Sequence, residues 1–311
     1  MISGRDHGGG LDAARSRFGG SAADWLDLST GINPEPYPIP DLPPRAWTAL
    51  PDRNAQDALC DAARAGWSVP DGAAIVAAPG ASALITRLPY LAPPGRVAIP
   101  GPTYNEHEAA FRAAGWTVTR TGGAAIVRVH PNNPDGRLTT EAEADAPLTV
   151  IDESFCDVVP DASLVRLATR PGTVVLKSFG KFWGLAGLRL GFAIGPPEMV
   201  ARLAEMLGPW PVSGPALAIG TAALRDADWA DRTRAQLTRD AARLDAAMAP
   251  HGACIGGTTL FRLYEVPDAA AFRTRLARHR IWSRIFPYSR TWLRLGLPPT
   301  DGWPRLDAAL A

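Results

Sequence analysis

Cysteine is scarce: Cys60, Cys156 and Cys254 are the three in 311 residues, far apart and without metal-ligand spacing. An odd, scattered set argues against a disulfide framework and against a bound metal. Long apolar runs are missing too. The N-terminus, MISGRDHGGGLDAARSRFGG, has no basic stretch followed by an apolar one. Neither secretion nor membrane spanning is expected of such a chain. Excess charge is also lacking, with a net charge of +1 and no basic run. Nucleic acid and acidic membrane surfaces are thereby excluded as partners, whereas a small anion would need only a local arginine cluster. No internal repeat is visible. The 30 prolines and 30 glycines are spread as loop punctuation and form no low-complexity tract. The expectation is a soluble cytoplasmic protein.

What is present is a hydrophobic content of 46% against 20% charged residues, enough for a large core and two domains. Short apolar runs alternate with helical ones. AAIVAAPG, GRVAIPGPTY, WTVTRT, AAIVRVHPNNPDG, PLTVIDESF, GTVVLKSFGK and RLGFAIG read as strands, and ASALITRLPYL and NEHEAAFRAAG as helices. This alternation predicts a mainly parallel sheet with helices on both faces. Ligands of such sheets bind beyond the C-terminal strand ends. From about Pro196 the pattern turns helical, and the close, from TTLFRLYEV onward, predicts a smaller α+β domain.

Five features fall at strand ends. Lys181 is bracketed by Phe179, Phe182, Trp183 and Leu185. An amine in such surroundings is disfavoured as the ammonium and is a ready nucleophile toward carbonyls; equally, a lysine can snorkel from a buried turn. Gly80, Ala81 and Ser82 open a helix after a strand, which makes either an anion site or an ordinary N-cap. Asn132 and Asn133 sit on a turn before Pro134 and Gly136, a normal Asx-turn setting. Asp152 ends an apolar strand, where a carboxylate needs a positive partner. Arg189, eight residues after Lys181, begins a new strand and would meet a phosphate or a carboxylate.

The order and spacing of these features resemble the pyridoxal-phosphate enzymes of the aspartate aminotransferase fold. The likeness covers nearly the whole chain. Its most specific part is SFGKFWGLAGLRLG, residues 178–191, which matches that family's S-x-x-K-x-x-G-L-x-G-L-R-x-G pattern. The resemblance implies fold type I: α/β, with a seven-stranded-type, mainly parallel sheet domain and a smaller α+β domain. It divides the chain into an N-terminal arm (1–45), a large cofactor-binding domain (46–207) and a C-terminal small domain (208–311). It implies pyridoxal 5'-phosphate bound covalently by Lys181, with Asp152 at the pyridine nitrogen, Asn133 at the ring 3-oxygen and Tyr104 stacked on the ring. Gly80, Ala81, Ser82, Ser178 and Arg189 would bind the phosphate. A homodimer is the usual assembly of the fold.

Within that family, HGGG (His7–Gly10) and LDLSTGINPEPYP, from Leu26, resemble the HGG … D-[FL]-S-x-N-[IL]-N-P opening of the L-threonine-O-3-phosphate decarboxylases of cobalamin biosynthesis. Phe155 and the pair Arg284 and Arg294 resemble that group as well. The resemblance makes His7, Gly31, Ile32, Asn33, Arg284 and Arg294 substrate contacts, with Arg290 as either a third contact or a rim charge. It implies decarboxylation of a phosphorylated amino acid, and a cobalamin-pathway synthase as a protein partner. Histidinol-phosphate aminotransferases share much of the core and stand as the alternative, followed by a non-catalytic scaffold or delivery partner of the synthase. Departures are Gly10 where Asn is usual, Gly31 where Asn or a small residue is common, Leu50 in the place of a tyrosine that reaches the neighbouring subunit, and a short segment RLTTEAEADAPL.

Overall fold

The computed structural model describes residues 7–311, and these form two compact units. The larger comprises residues 36–133 and 137–231, and the smaller residues 7–35, 134–136 and 232–311. Segments 36–45 and 208–231 therefore go with the large unit, not with the arm and small domain the sequence predicts. Their apolar side chains explain this. Tyr37 packs edge-on against Trp183 and Trp229, and the helix Gly214–Arg225 buries Leu217, Ile219, Ala223 and Leu224 within the unit.

A seven-stranded sheet organises the large unit, in the order Ala74–Ala78, Gly191–Gly195, Thr173–Ser178, Leu148–Asp152, Ala125–Val129, Arg96–Ala98, Thr117–Thr119. Only Gly191–Gly195 runs against its neighbours; the other pairings are parallel. Its central strands are buried on both faces. Val150 and Leu176 join a core with Leu84, Phe111 and Trp116 on one side, whereas Ile151 and Val175 join Val69, Leu164 and Leu167 on the other. Alternation with period two therefore assigns every residue near the strand ends to one face or the other.

Local chemistry accounts for the departures from the predicted elements. The expected helix over ASALITRLPYL is an α-helix only at Ala81–Ile85, followed by a 3₁₀ turn at Leu88–Leu91. Pro89 lacks an N–H and disfavours α geometry in the residue before it. Arg189 does not begin the last strand. It has a left-handed backbone with φ 53°, and the strand starts at Gly191. The segment between the Asn turn and the Asp152 strand holds a single 3₁₀ turn, Glu141–Glu143, capped reciprocally by Thr140 and Glu143. Hydrogen bonds from Thr140 and Arg137 draw the Glu143 carboxyl down to about 2.

The smaller unit has a four-stranded antiparallel sheet, in the order Arg284–Ile285, Trp292–Gly296, Phe261–Glu265, Ala253–Thr258. A two-stranded parallel pairing joins Leu26–Asp27 to Ile281–Trp282. The sequence reading does not include Ala253–Thr258 as a strand, because Gly256 and Gly257 lower its apparent β-propensity. Those glycines are needed for close approach, since Gly257 N donates to Asp135 O at 2.8 Å. Gly136, with φ 74°, would carry a methyl only 1.9 Å from Gly257 O. Gly136→Ala is therefore expected to destabilise the protein by about 2 kcal/mol or more, read as a lowered urea midpoint.

Candidate active site

Asp152 is the last residue of a fully buried strand, and its carboxylate faces the helix Asn105–Ala113. His107 on that helix lies with Nε2 2.7 Å from Asp152 Oδ2. Ser154 donates to Asp152 Oδ1 from its backbone N at 3.0 Å and from its hydroxyl at 2.5 Å. Burial alone would push this carboxyl up. The hydrogen bonds from His107 and Ser154 more than offset it and hold the group below its ordinary value. Asp152 is thus an ionised acceptor, which places the ring proton of His107 on Nε2. In place of the positive partner the sequence predicts, Asp152 meets a hydrogen-bond donor, the His107 ring. The signal available was Tyr-x-x-His at the start of a predicted helix, where residues three apart share a face.

Tyr104 caps that helix with its ring edge-on to His107, centroids 6.1 Å apart. Asn132 is held by Thr103 Oγ1 at 2.6 Å and by Pro102 O at 3.0 Å, and the half-buried Asn133 follows it. Lys181 is half-buried in a turn closed by Gly184 N donating to Lys181 O at 3.1 Å. Its Nζ lies 5.4 Å from the centre of the Phe155 ring. Ser178 Oγ accepts from Gly180 N at 3.3 Å.

A cradle forms where the strands that come first and last along the chain in the seven-stranded sheet, Ala74–Ala78 and Gly191–Gly195, lie side by side. A methyl on Gly80, where φ is 85°, would sit 2.5 Å from Arg189 Nη2, and one on Gly191 would sit 2.4 Å from Ala81 N. These two glycines let the Arg189 guanidinium and the Ala81 backbone come close, with Ser82 exposed beside them. The left-handed φ of Arg189 turns its side chain back toward Gly80. A guanidinium beside backbone N–H and hydroxyl donors suits a phosphate group.

In the smaller unit, Arg284 and Arg294 are register partners on adjacent antiparallel strands. Arg284 Nη1 donates to the His7 carbonyl. The buried Arg294 donates to Ser29 O at 2.7 Å and lies 5.0 Å from the Phe261 ring centre. Ser29 Oγ in turn accepts from Gly9 N at 2.7 Å and donates to Asp27 at 2.6 Å. Gly31 is buried and Ile32 half-buried. Asn33 is buried and accepts from Glu35 N at 3.0 Å. The arm residues and both arginines are therefore brought together within this unit. Arg290 is exposed, and its carbonyl serves the backbone N of Ala269.

Leu50 is 67% exposed and lines an apolar groove of about 340 Å³ with Pro43, Ala46 and Leu217. His130, Glu153 and Cys156 place ligand-type atoms within 4.8 Å of one another. Each is already engaged: His130 accepts from Thr139 N at 2.8 Å and donates to Ala162 O at 2.7 Å, and Glu153 is bound by Lys177 and Ser163. Burial pushes the Cys156 thiol up, away from the thiolate a metal would need. No helix among the described residues is long and apolar enough to cross a membrane.

The fold and this set of side chains define a class. The chain belongs to the aminotransferase class I and II family, whose pattern matches residues 45–302. It is 44% identical to a threonine-phosphate decarboxylase from Sinorhizobium sp. and 40% identical to one from Pseudomonas aeruginosa, each alignment covering 98% of this chain and 97% of the relative. A histidinol-phosphate aminotransferase from Symbiobacterium thermophilum is 33% identical over 49% of this chain and 49% of its own. A crystal structure of the histidinol-phosphate aminotransferase from Sinorhizobium meliloti, in complex with pyridoxal-5'-phosphate, superposes with a TM-score of 0.79 over 96% of this chain and 92% of that one. At 17% identity that likeness shows the shared fold.

The residues present here fit pyridoxal phosphate. An ionised buried carboxylate suits a pyridinium, the glycine cradle at Arg189 suits a phosphate, and a half-buried primary amine lies beside an aromatic wall. Gly80→Ala would push a methyl into the Arg189 guanidinium. It is expected to weaken pyridoxal phosphate binding by about tenfold or more, measured by absorbance titration of cofactor-free protein.

Proposed function

We propose that this chain is a pyridoxal-phosphate-dependent carboxy-lyase that converts L-threonine O-3-phosphate to (R)-1-amino-2-propanol O-2-phosphate and CO2 for cobalamin biosynthesis. The observation that carries this reading is the near-complete match, at 44% and 40% identity, to proteins named threonine-phosphate decarboxylase. The matches to histidinol-phosphate aminotransferases cover shorter parts of the chain at lower identity, as in the Symbiobacterium protein.

When bound, the cofactor supplies a protonated pyridine ring that takes up the electron pair left at Cα as the carboxylate departs. Lys181 Nζ would bond the cofactor and leave as the free amine when the substrate amine takes its place. Asp152 would hold the proton at the ring nitrogen, because an adjacent carboxylate favours the charged form. His107 positions that carboxylate and keeps it ionised. Tyr104 would stack on the ring and Asn133 would hydrogen-bond its 3-oxygen, so that one Cα bond is oriented for cleavage. Gly80, Ala81, Ser82, Ser178 and Arg189 would hold the phosphate. Phe155 offers no hydroxyl, leaving an apolar wall by the amine. After CO2 leaves, Lys181 Nζ would deliver a proton to Cα. Arg284 and Arg294 are assigned to the substrate's carboxylate and phosphate, with His7, Gly31, Ile32 and Asn33 as further contacts, since guanidinium forks suit both anions.

Ile39, Trp47 and Leu50, within twelve residues of one another in the large unit, are exposed apolar side chains, which supports assembly as a homodimer. A cytoplasmic location and a synthase that consumes the amino-alcohol phosphate complete the reading.

The test is turnover of L-threonine O-3-phosphate without any 2-oxo acid, following CO2 and aminopropanol phosphate. Equimolar release over many turnovers is expected. Amino transfer from histidinol phosphate to 2-oxoglutarate, without CO2, would instead establish the aminotransferase, and a protein that never takes up the cofactor would establish the scaffold. Lys181→Ala should abolish both the lysine–cofactor absorbance and turnover. His107→Leu removes a hydrogen bond that lowers the Asp152 pKa. The carboxyl then protonates at higher pH, so the acidic limb of the kcat profile should move to higher pH.

A further inference from the structure

Of 32 basic residues, 30 are arginine; the two lysines are Lys177 and Lys181. Lys181 has a role in the reading above, and Lys177 has none. Lys177 is 2% exposed on the strand that leads to Lys181. It has the parity of Val175, on the face opposite the one that carries Val150 and Asp152. Its Nζ lies 2.7 Å from Glu153 Oε2 and 3.5 Å from Asp157 Oδ1, and 5.5 Å from the centre of the Trp67 ring. Glu153 also accepts from Ser163 Oγ at 2.7 Å and Leu164 N at 2.5 Å. Asp157 accepts from Trp183 Nε1 at 3.0 Å.

Trp183 is the end of this chain of contacts. Its indole is stacked between Phe179 and Trp229, at 5.0 and 5.3 Å with interplanar angles of 9° and 15°. It lies within the Lys181–Gly184 turn, whose closing bond was given above. The indole N–H therefore ties the turn carrying Lys181 to a carboxylate whose buried negative charge is countered by Lys177.

We propose that Lys177 is a positioning residue for Lys181: through Asp157 and the indole N–H of Trp183, it fixes the turn from which the Lys181 amine reaches the cofactor. Without Lys177, two carboxylates share a site that is nine-tenths or more buried, with no ammonium between them. At least one must take up a proton or turn away, because an unpaired buried charge is costly. A protonated Asp157 is a weaker acceptor for the indole, and the turn loosens. Burial would push the Lys177 ammonium toward deprotonation, but Glu153 and Asp157 hold it above its ordinary value, in keeping with a fixed positive charge.

The proposal rests on the reading that Lys181 bonds the cofactor. Its test uses holoenzyme without substrate, following the rate at which the lysine–cofactor absorbance is lost on dilution with a cofactor scavenger. Lys177→Met and Trp183→Phe, which keeps the ring stack but not the N–H, should each release cofactor about tenfold faster. Each should also lower kcat by a similar factor while leaving KM unchanged. Combining them should add little to either single change, because both cut the same chain of contacts. Wild-type release and kcat in Trp183→Phe would overturn the proposal, as would additive effects in the double variant. If Lys177→Met fails to fold, Trp183→Phe alone decides. A wild-type protein that never shows the absorbance would instead refute the cofactor reading, so the two failures are distinguishable.

Discussion

The site depends on a carboxylate kept ionised where burial disfavours ionisation. Asp152 ends a strand with both faces covered, and its charge persists because His107 and Ser154 together donate three hydrogen bonds to it. The neighbouring elements are arranged around that requirement. The helix at Asn105 delivers the imidazole, and the turn after Asp152 delivers the Ser154 donors. A carboxylate so satisfied can pair with a pyridinium without moving, which is the preorganisation a cofactor site needs.

The second organising contact is steric. Two glycines allow a strand, a short helix and a left-handed arginine to converge where any side chain would intrude. The cradle thus needs no long helix. The Ala81–Ile85 turn supplies few N–H groups, and the Arg189 guanidinium supplies the positive charge.

Much of this was legible in the sequence for definite reasons. Strands buried on both faces are near-continuous apolar runs, so the sheet and its polar strand ends could be read directly. The motif around Lys181 combines eight fixed positions, which makes it specific. The domain limits were less legible, because helix Gly214–Arg225 reads simply as an apolar helix, whichever unit it packs in. The left-handed Arg189 was not legible either, since only a structure shows that a non-glycine takes that geometry. His107 and the Lys177 network were missed because buried polar partners come from distant segments. A lone histidine on a helix and a lone lysine in a strand carry no spacing that names their partners.

Asp152 and Glu153 are adjacent acids with opposite surroundings: one meets His107, the other Lys177. Their identities are set by strand parity alone. Sliding this strand by a single residue would exchange the two carboxylates and ruin both environments at once. A change of chain length is therefore tolerable only in segments whose parity does not matter. The short stretch around Glu141–Glu143, just before the strand, is such a segment, because a 3₁₀ turn there carries no strand parity.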